Sequence, residues 1–377
     1  GILFLMKTVS IGVGGRFHSD FMYEALVRLG YSAHVLTSLP KNRFSLPDKA
    51  IQNCIWPEVI FRIARNLGLE SSGDALKMKY FGRFLSNTLA KLKPDLFIGW
   101  SSFSLESLQK RSAKTHILMR DSAHINFQYQ LLSEEYEKFG FSFPNRKICL
   151  QRELEEYSLA DRIWVLSEFA KKTFIDQGVK AEKMGVLPLG VDLDRFYPAD
   201  PSSEPLPLKI IYFGSLSFRK GIQYLLEGTK SFSPKQIELK LIGAVETDFK
   251  STLSKYTHFS YQKALTQSEL AIEIRKHHVF VFPTLEDGFG QTLIQAMASG
   301  LVPITTTHCG SADFTSIDKG GRRIEPRSSS QIQAKLEMLL SCSSDDIQEM
   351  RSQAILEARE LTWSRYERQL ASLIASL

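Results

Sequence analysis

The chain has 377 residues, 43% of them apolar and 23% charged, a composition that suits a globular protein long enough for two domains. Its net charge of +6 permits attraction to phosphates or anionic headgroups, but no basic stripe with interleaved aromatics stands out, so nucleic acid is not an expected partner. No apolar run nears the ~20 residues of a membrane span, and Cys54, Cys149, Cys309 and Cys342 are too scattered for a zinc knuckle or a disulfide framework, which points to a reducing, cytoplasmic setting.

The opening "GILFL" has neither a basic n-region nor a small-residue cleavage site, so no signal peptide is expected; a start at Met6 is an equal reading. "TVSIGVGG" (8–15) reads as a buried strand ending in glycines, and 20–30 as a helix with apolar residues at helical spacing and a stop at Gly30. Further strands are expected at 32–38, 94–100, 115–121 and 162–167. Strand and helix in alternation imply a parallel sheet with helices on both faces. Around 187–209 the chain turns rich in proline, serine and aspartate, as a connector would. The alternation then restarts, with strands at 209–214, 238–243, 279–284 and 302–306 and helices between them. The plan is therefore α/β, with two Rossmann-like, doubly wound parallel-sheet domains, residues 1–187 and 188–377. Residues 357–377 read as a single amphipathic helix.

The segment "TLEDGFGQTLIQAMASG" (284–300) carries the most chemistry. Gly288 and Gly290 allow a tight turn and close approach of a ligand. The helix that opens at Gln291 and Thr292 aims unpaired N–H groups and a positive dipole end into that turn, a natural seat for phosphate.

The wider pattern is more specific. "EDGFGQTLIQAMASGLVPITTTHCGSADF" (286–314) resembles the nucleotide-sugar signature of the retaining glycosyltransferases of the large family 4, which have the GT-B fold. "FGSLSFRKGIQYLLEG" (213–228) resembles the second signature of that family. The stretches 160–179 and 186–198 resemble its approach to the interdomain hinge. The resemblance implies two domains facing across a cleft, the first holding the acceptor and the second a nucleotide-sugar, with the last helix, about 362–377, crossing back to the first.

By the same resemblance, donor-binding residues are Gly14, Gly15, Ser215, Arg219, Lys220, Glu286, Asp287, Gly288, Phe289, Gly290, Gln291, Thr292 and Gln295, and catalytic ones His124, Lys220 and Asp287. Lys220 would neutralise the leaving diphosphate, and the glycines Gly14 and Gly15 would face it from the first domain. His124 is read either as the histidine near the transferred sugar or as a structural hydrogen-bonder. Three positions depart from the family pattern. Asp287 replaces its first Glu, Gln295 its second, and Ser215 a frequent Arg, with Arg219 as a candidate replacement. Gln295 keeps an acceptor for the ribose hydroxyls, though a neutral one.

No aspartate cluster suits Mg²⁺, so no metal and no cofactor are expected. The reaction implied is sugar transfer with retention to a glycan, lipid-linked or small-molecule acceptor. A nucleotide-sugar epimerase or hydrolase and a non-catalytic binding subunit are the rival readings. The aromatic, aliphatic and basic residues between 55 and 86 fit either peripheral contact with an anionic membrane surface or a packed helix pair with solvated arginines.

Overall fold

The structure is a computed structural model, and it describes residues 7–144, 147–199, 207–316 and 322–377. The opening "GILFL" and part of the expected connector lie outside the described residues. The first half holds strands β1 (Thr8–Val13), β2 (Ser32–Thr37), β3 (Ile51–Asn53), β4 (Leu96–Trp100), β5 (Thr115–Arg120), β6 (Arg162–Val165) and β7 (Met184–Val186). Its helices are α1 (Ser19–Arg28), α2 (Trp56–Asn66), α3 (Glu70–Leu92), α4 (Leu105–Lys110), α5 (Ile125–Lys138), α6 (Lys147–Leu159) and α7 (Glu168–Asp176).

The second half holds β8 (Leu208–Phe213), β9 (Ile237–Ile242), β10 (Ser260–Gln262), β11 (Val279–Phe282), β12 (Val302–Thr306) and β13 (Arg323–Ile324). With them go α8 (Ile222–Thr229), α9 (Lys250–Leu253), α10 (Gln267–Ile274), α11 (Gln291–Ala298), α12 (Ser329–Ser341), α13 (Ser344–Arg359) and α14 (Trp363–Ala375).

All pairings within the two sheets are parallel, in the orders β3-β2-β1-β4-β5-β6-β7 and β10-β9-β8-β11-β12-β13. Each order reverses beside its first strand, and in such sheets ligands bind outside the carboxyl ends of the strands at that reversal. The central strands are apolar throughout because both faces are covered; every residue of β4 and β11 is buried. No helix among the described residues is long and apolar enough to cross a membrane.

Two helix ends differ from expectation. The final amphipathic stretch is two helices, not one. α13 stops at Arg359, and the Thr362 hydroxyl accepts the N–H of Arg365 at 3.1 Å to start α14. α14 then packs on α1, with Phe21 stacked on Trp363 (centroids 3.6 Å apart) and Arg28 bonded to Glu367 at 2.6 Å. The crossing lies against the connector. Val191 N–H donates to Leu361 O at 2.9 Å, Val191 and Thr362 form a parallel bridge, and Gly190 leaves no room for a side chain beside the Trp363 nitrogen.

α5 joins the halves from the other side. Its Glu135 is fully buried and accepts from Gln223 Nε2 (2.8 Å), Tyr224 OH (2.7 Å) and Arg327 Nε (2.8 Å), all in the second half. Next to this network Phe218 packs among Tyr136, Phe139 and Phe141, with centroids 5.1–5.3 Å away.

His116 on β5 and His124 before α5 are buried, and each uses a ring nitrogen as acceptor, from Ala113 N–H (3.4 Å) and Asn126 N–H (3.2 Å). Burial, helped by Arg111 and opposed by Asp161, pushes His116 down to about 4; burial and Arg120 do the same to His124. Both stay neutral when folded, while the unfolded chain takes up protons below its ordinary value near 6.5. Stability is therefore complete above that value and is lost as pH falls toward 4. Melting curves should show a loss of roughly 2 kcal/mol per histidine by about pH 5. The variant His124→Asn, which keeps an N-cap acceptor, should flatten part of that fall. A melting temperature constant over this window would contradict the assignment.

Candidate active site

A cavity of ≈ 650 Å³ opens where the carboxyl ends of the two sheets meet. The first half contributes Arg16, Phe17 and His18 after β1 and Asp121 after β5. The second contributes Ser215, Lys220, Gln267, Asp287, Phe289, Gly290, Gln291, Thr292 and Gln295, and α14 adds Trp363.

Asp287 organises its second-half wall. One carboxylate oxygen accepts the backbone N–H groups of Phe289 (3.1 Å) and Gly290 (2.6 Å), and the other pairs with the Lys220 ammonium. Gly290 has φ +80° where α11 begins, and an added Cβ would lie 2.6 Å from Cys309 Sγ, so glycine is required there. Burial pushes the Asp287 carboxyl up, but Lys220 and Arg219, with hydrogen bonds from Lys220 and Phe289, outweigh it and the net shift is downward. The group is ionised at neutral pH. The N–H groups of Gln291 and Thr292, in the first turn of α11, have no carbonyl a turn earlier to bond.

The side chains around this wall are partly committed to the protein. Ser215 Oγ donates to Glu246 at 2.9 Å, and Gln295 Nε2 donates to Gln267 Oε1 at 3.2 Å. Gln291 Nε2 donates to Gly190 O at 2.7 Å while its Oε1 is buried without a protein partner.

Several expected donor contacts lie elsewhere. Glu286 does not line the cavity; it is fully buried and turned into the seam between the halves. There it accepts from Ala123 N–H (2.8 Å), Gln128 Nε2 (2.8 Å) and Arg219 Nε (3.0 Å). Arg219, held by that carboxylate, lines a second cavity of ≈ 370 Å³ with Ser122, Arg120, Gln128, Tyr129, Glu153 and Glu246, and so does not replace the missing arginine at position 215. Gly288 also belongs to the seam. An added Cβ would stand 2.2 Å from Asp121 O, and its own carbonyl accepts from Ser167 Oγ at 2.6 Å. Gly14 and Gly15 precede the lining residues without joining them; a Cβ on either would meet the ring of Phe103 or Phe17.

His124 is not a cavity residue. Its ring caps α5 and packs on Tyr157 and Phe174 (centroids 5.0 and 4.8 Å), which leaves the structural hydrogen-bonder of the two readings. The cavity histidine is His18, seated edge-on to Trp100 (5.0 Å) and Tyr366 (5.8 Å), with Nδ1 3.8 Å from Asp121. Asp121 accepts from Trp100 Nε1 at 3.0 Å. His18 Nε2 and Asp121 Oδ1 are both buried without a protein partner, as groups awaiting a polar ligand would be. Sequence reasoning passed over Asp121, whose position directly after β5 was the available signal. Trp363 and Gln267 carried none, because each enters the cavity from an element whose docking is tertiary. Among the described residues no three or more His, Cys, Asp or Glu are gathered as a metal site.

Comparison with known proteins agrees along most of the chain. Residues 14–195 match the model described as Glycosyltransferase Family 4, and residues 207–342 that described as Glycosyl transferases group 1. A putative colanic acid biosynthesis glycosyltransferase, WcaL of Escherichia coli, is 22% identical over 218 residues, 53% of each chain. The chain thus spans about half the length of the curated relatives it matches. Among solved structures, sucrose-phosphate synthase from Thermosynechococcus elongatus superposes with a TM-score of 0.73 at 16% identity, over 98% of both chains. HepE of Anabaena in complex with UDP-glucose gives 0.70 at 12% identity, over 99% of this chain and all of that one. At these identities the superpositions establish the fold.

The seam generates its own test. Both Asp121 and Ser122 meet Gly288 through backbone atoms, which cannot swing aside. Gly288→Ala should therefore cost roughly 1–3 kcal/mol of stability and enlarge the radius of gyration measured by X-ray scattering. Wild-type values for both would mean that the halves do not meet at Gly288 in solution.

Proposed function

The chain belongs to the family 4 glycosyl transferases of group 1, with the GT-B fold, and from that premise we propose that it moves a sugar from a nucleotide-sugar donor to a glycan, lipid-linked or small-molecule acceptor with retention of configuration, in glycan or glycoconjugate biosynthesis. The observation that carries this reading is the Asp287 arrangement. A single carboxylate holds the Lys220 ammonium and two N–H groups beside the open first turn of α11, on the wall of a cavity large enough for a nucleotide-sugar.

A diphosphate seated on the N–H groups of Gln291 and Thr292 would draw Lys220 from Asp287 to itself. The freed carboxylate oxygen would then accept from hydroxyls of the donor sugar. As the bond from sugar to phosphate breaks, negative charge grows on the phosphate, so Lys220 contributes most at the transition state. Lys220 and the α11 dipole supply this positive charge without a divalent ion. The acceptor hydroxyl attacks C1 on the face the phosphate leaves, and its proton passes to a phosphate oxygen as the new bond forms.

The second cavity is assigned to the acceptor. Arg120, Gln128, Glu153 and Glu246 offer both donors and acceptors, and Tyr129 and Phe143 offer aromatic faces, as a neutral polyol requires. The two cavities back onto each other, since Asp121 and Lys220 line the first and their chain neighbours Ser122 and Arg219 the second.

The test is a thermal-shift screen of nucleotide-sugars followed by transfer assays with the best of them. Absence of any donor-dependent shift would overturn the reading. With a donor in hand, Lys220→Ala should lower kcat by about 10²-fold and change donor affinity far less. A purely KM effect would reduce Lys220 to a binding residue.

Gln295 provides a second, calorimetric test. One N–H of its amide donates to Gln267, and Oε1 is left to accept from the ribose. Gln295→Leu should weaken donor binding by on the order of 1–3 kcal/mol. Gln295→Glu should bind equally well or better, since the Gln267 amide can turn its NH₂ toward the new carboxylate. Equal affinity of the Leu and wild-type proteins would show that this side chain does not meet the ribose.

A further inference from the structure

The large apolar side chains that the protein leaves exposed are not spread evenly. Of the eighteen among the described residues, seven fall between Ile55 and Tyr80, on α2, α3 and the turn joining them. On α2, Trp56 (70% exposed), Ile63 (56%) and Leu67 just past its end (70%) recur at spacings of seven and four, which stacks them as one stripe. The opposite side of α2 is already used. Ala64 lies so close to Gly73 of α3 that a Cβ there would be 2.7 Å away, and Pro57 is buried. The stripe is therefore not the packing face of the helix pair. The packed helix pair expected as one of the two readings is present, and it leaves this stripe bare.

Among the described residues of the hairpin the exposed charges have one sign: Arg62, Arg65, Lys79 and Arg83 are exposed, while the acids Glu58 and Asp74 are partly buried, Glu58 being paired with Lys77 and Arg62. An indole at one end, an isoleucine and a leucine along the stripe and cationic side chains exposed on the same hairpin match the composition of a headgroup layer. Apolar side chains reach the acyl boundary, Trp sits at the interface, and Arg extends its stem to reach phosphate.

We propose that the α2–α3 hairpin is a docking surface for an anionic lipid bilayer, lying on the membrane and not crossing it. The proposal stands apart from the sugar-transfer reading. Where that reading also holds, the dock would present the second cavity, whose wall includes Met78 of α3, to an acceptor carried in the membrane.

The test is flotation of the full chain with vesicles of phosphatidylcholine alone and with roughly one-third phosphatidylglycerol added. Binding is expected to the anionic vesicles, weakening at high salt, with a blue shift of tryptophan emission. Trp100 and Trp164 are buried already and Trp363 is stacked on Phe21 away from the hairpin, so the shift should vanish in Trp56→Phe. The double variant Trp56→Ser/Leu67→Ser should lose about tenfold or more in partitioning, as should Arg62→Glu/Arg65→Glu. Circular dichroism should remain that of the wild type, because these side chains support no core. Wild-type flotation by both double variants would overturn the proposal, as would failure of the unaltered protein to bind anionic vesicles. A vesicle-indifferent dimer that Trp56→Ser/Leu67→Ser converts to monomer would assign the face to a second copy instead, and overturn it equally.

Discussion

A carboxylate sealed between two sheets must be matched by donors or it costs several kcal/mol, and Glu286 is such a group. Its matches come from both halves of the chain: a backbone N–H and a glutamine amide from the first, an arginine from the second. Satisfying this charge fixes how closely the halves approach, and the glycine two residues on exists because the approach is so close. It also fixes direction. With Glu286 facing the seam, its neighbour Asp287 faces the opposite way, into the large cavity, and carries Lys220 with it. Seam and site are alternate sides of one extended loop.

This alternation explains much of what the sequence could and could not reveal. The parallel sheets were legible because strands buried on both faces read as continuous apolar runs. β3, β7, β10 and β13 were not, since two or three residues at or near a sheet edge leave no pattern. The glycine turn and the helix start were legible as a phosphate seat. Which of two adjacent acids, or of the adjacent Arg219 and Lys220, enters the cavity depends on a parity set only when the loop is pinned at both ends. His124 and His18 differ in the same way. Each follows a strand's carboxyl end, yet one ring turns back to cap its own helix and the other lies over Trp100.

The departures from the family pattern also acquire a physical setting. Ser215 is tied to Glu246, so the place of a guanidinium is held by a neutral hydroxyl bonded to an acid. The shorter acid at 287 reaches the turn's own N–H groups as well as Lys220. Gln295 is braced by Gln267, which gives a neutral side chain a fixed orientation in place of a charge. Each of the three side chains is thus hydrogen-bonded within the protein.

The two passages of the chain between the halves run side by side, bonded from Val191 to Leu361 and bridged at Thr362. A single connecting strand can twist about its own axis as well as bend. Two strands tied together resist torsion and keep one soft coordinate, flexure about the line that joins them. At this side of the molecule, then, torsion between the halves is opposed and flexure is the softer mode, so the walls of the cleft are held in one register.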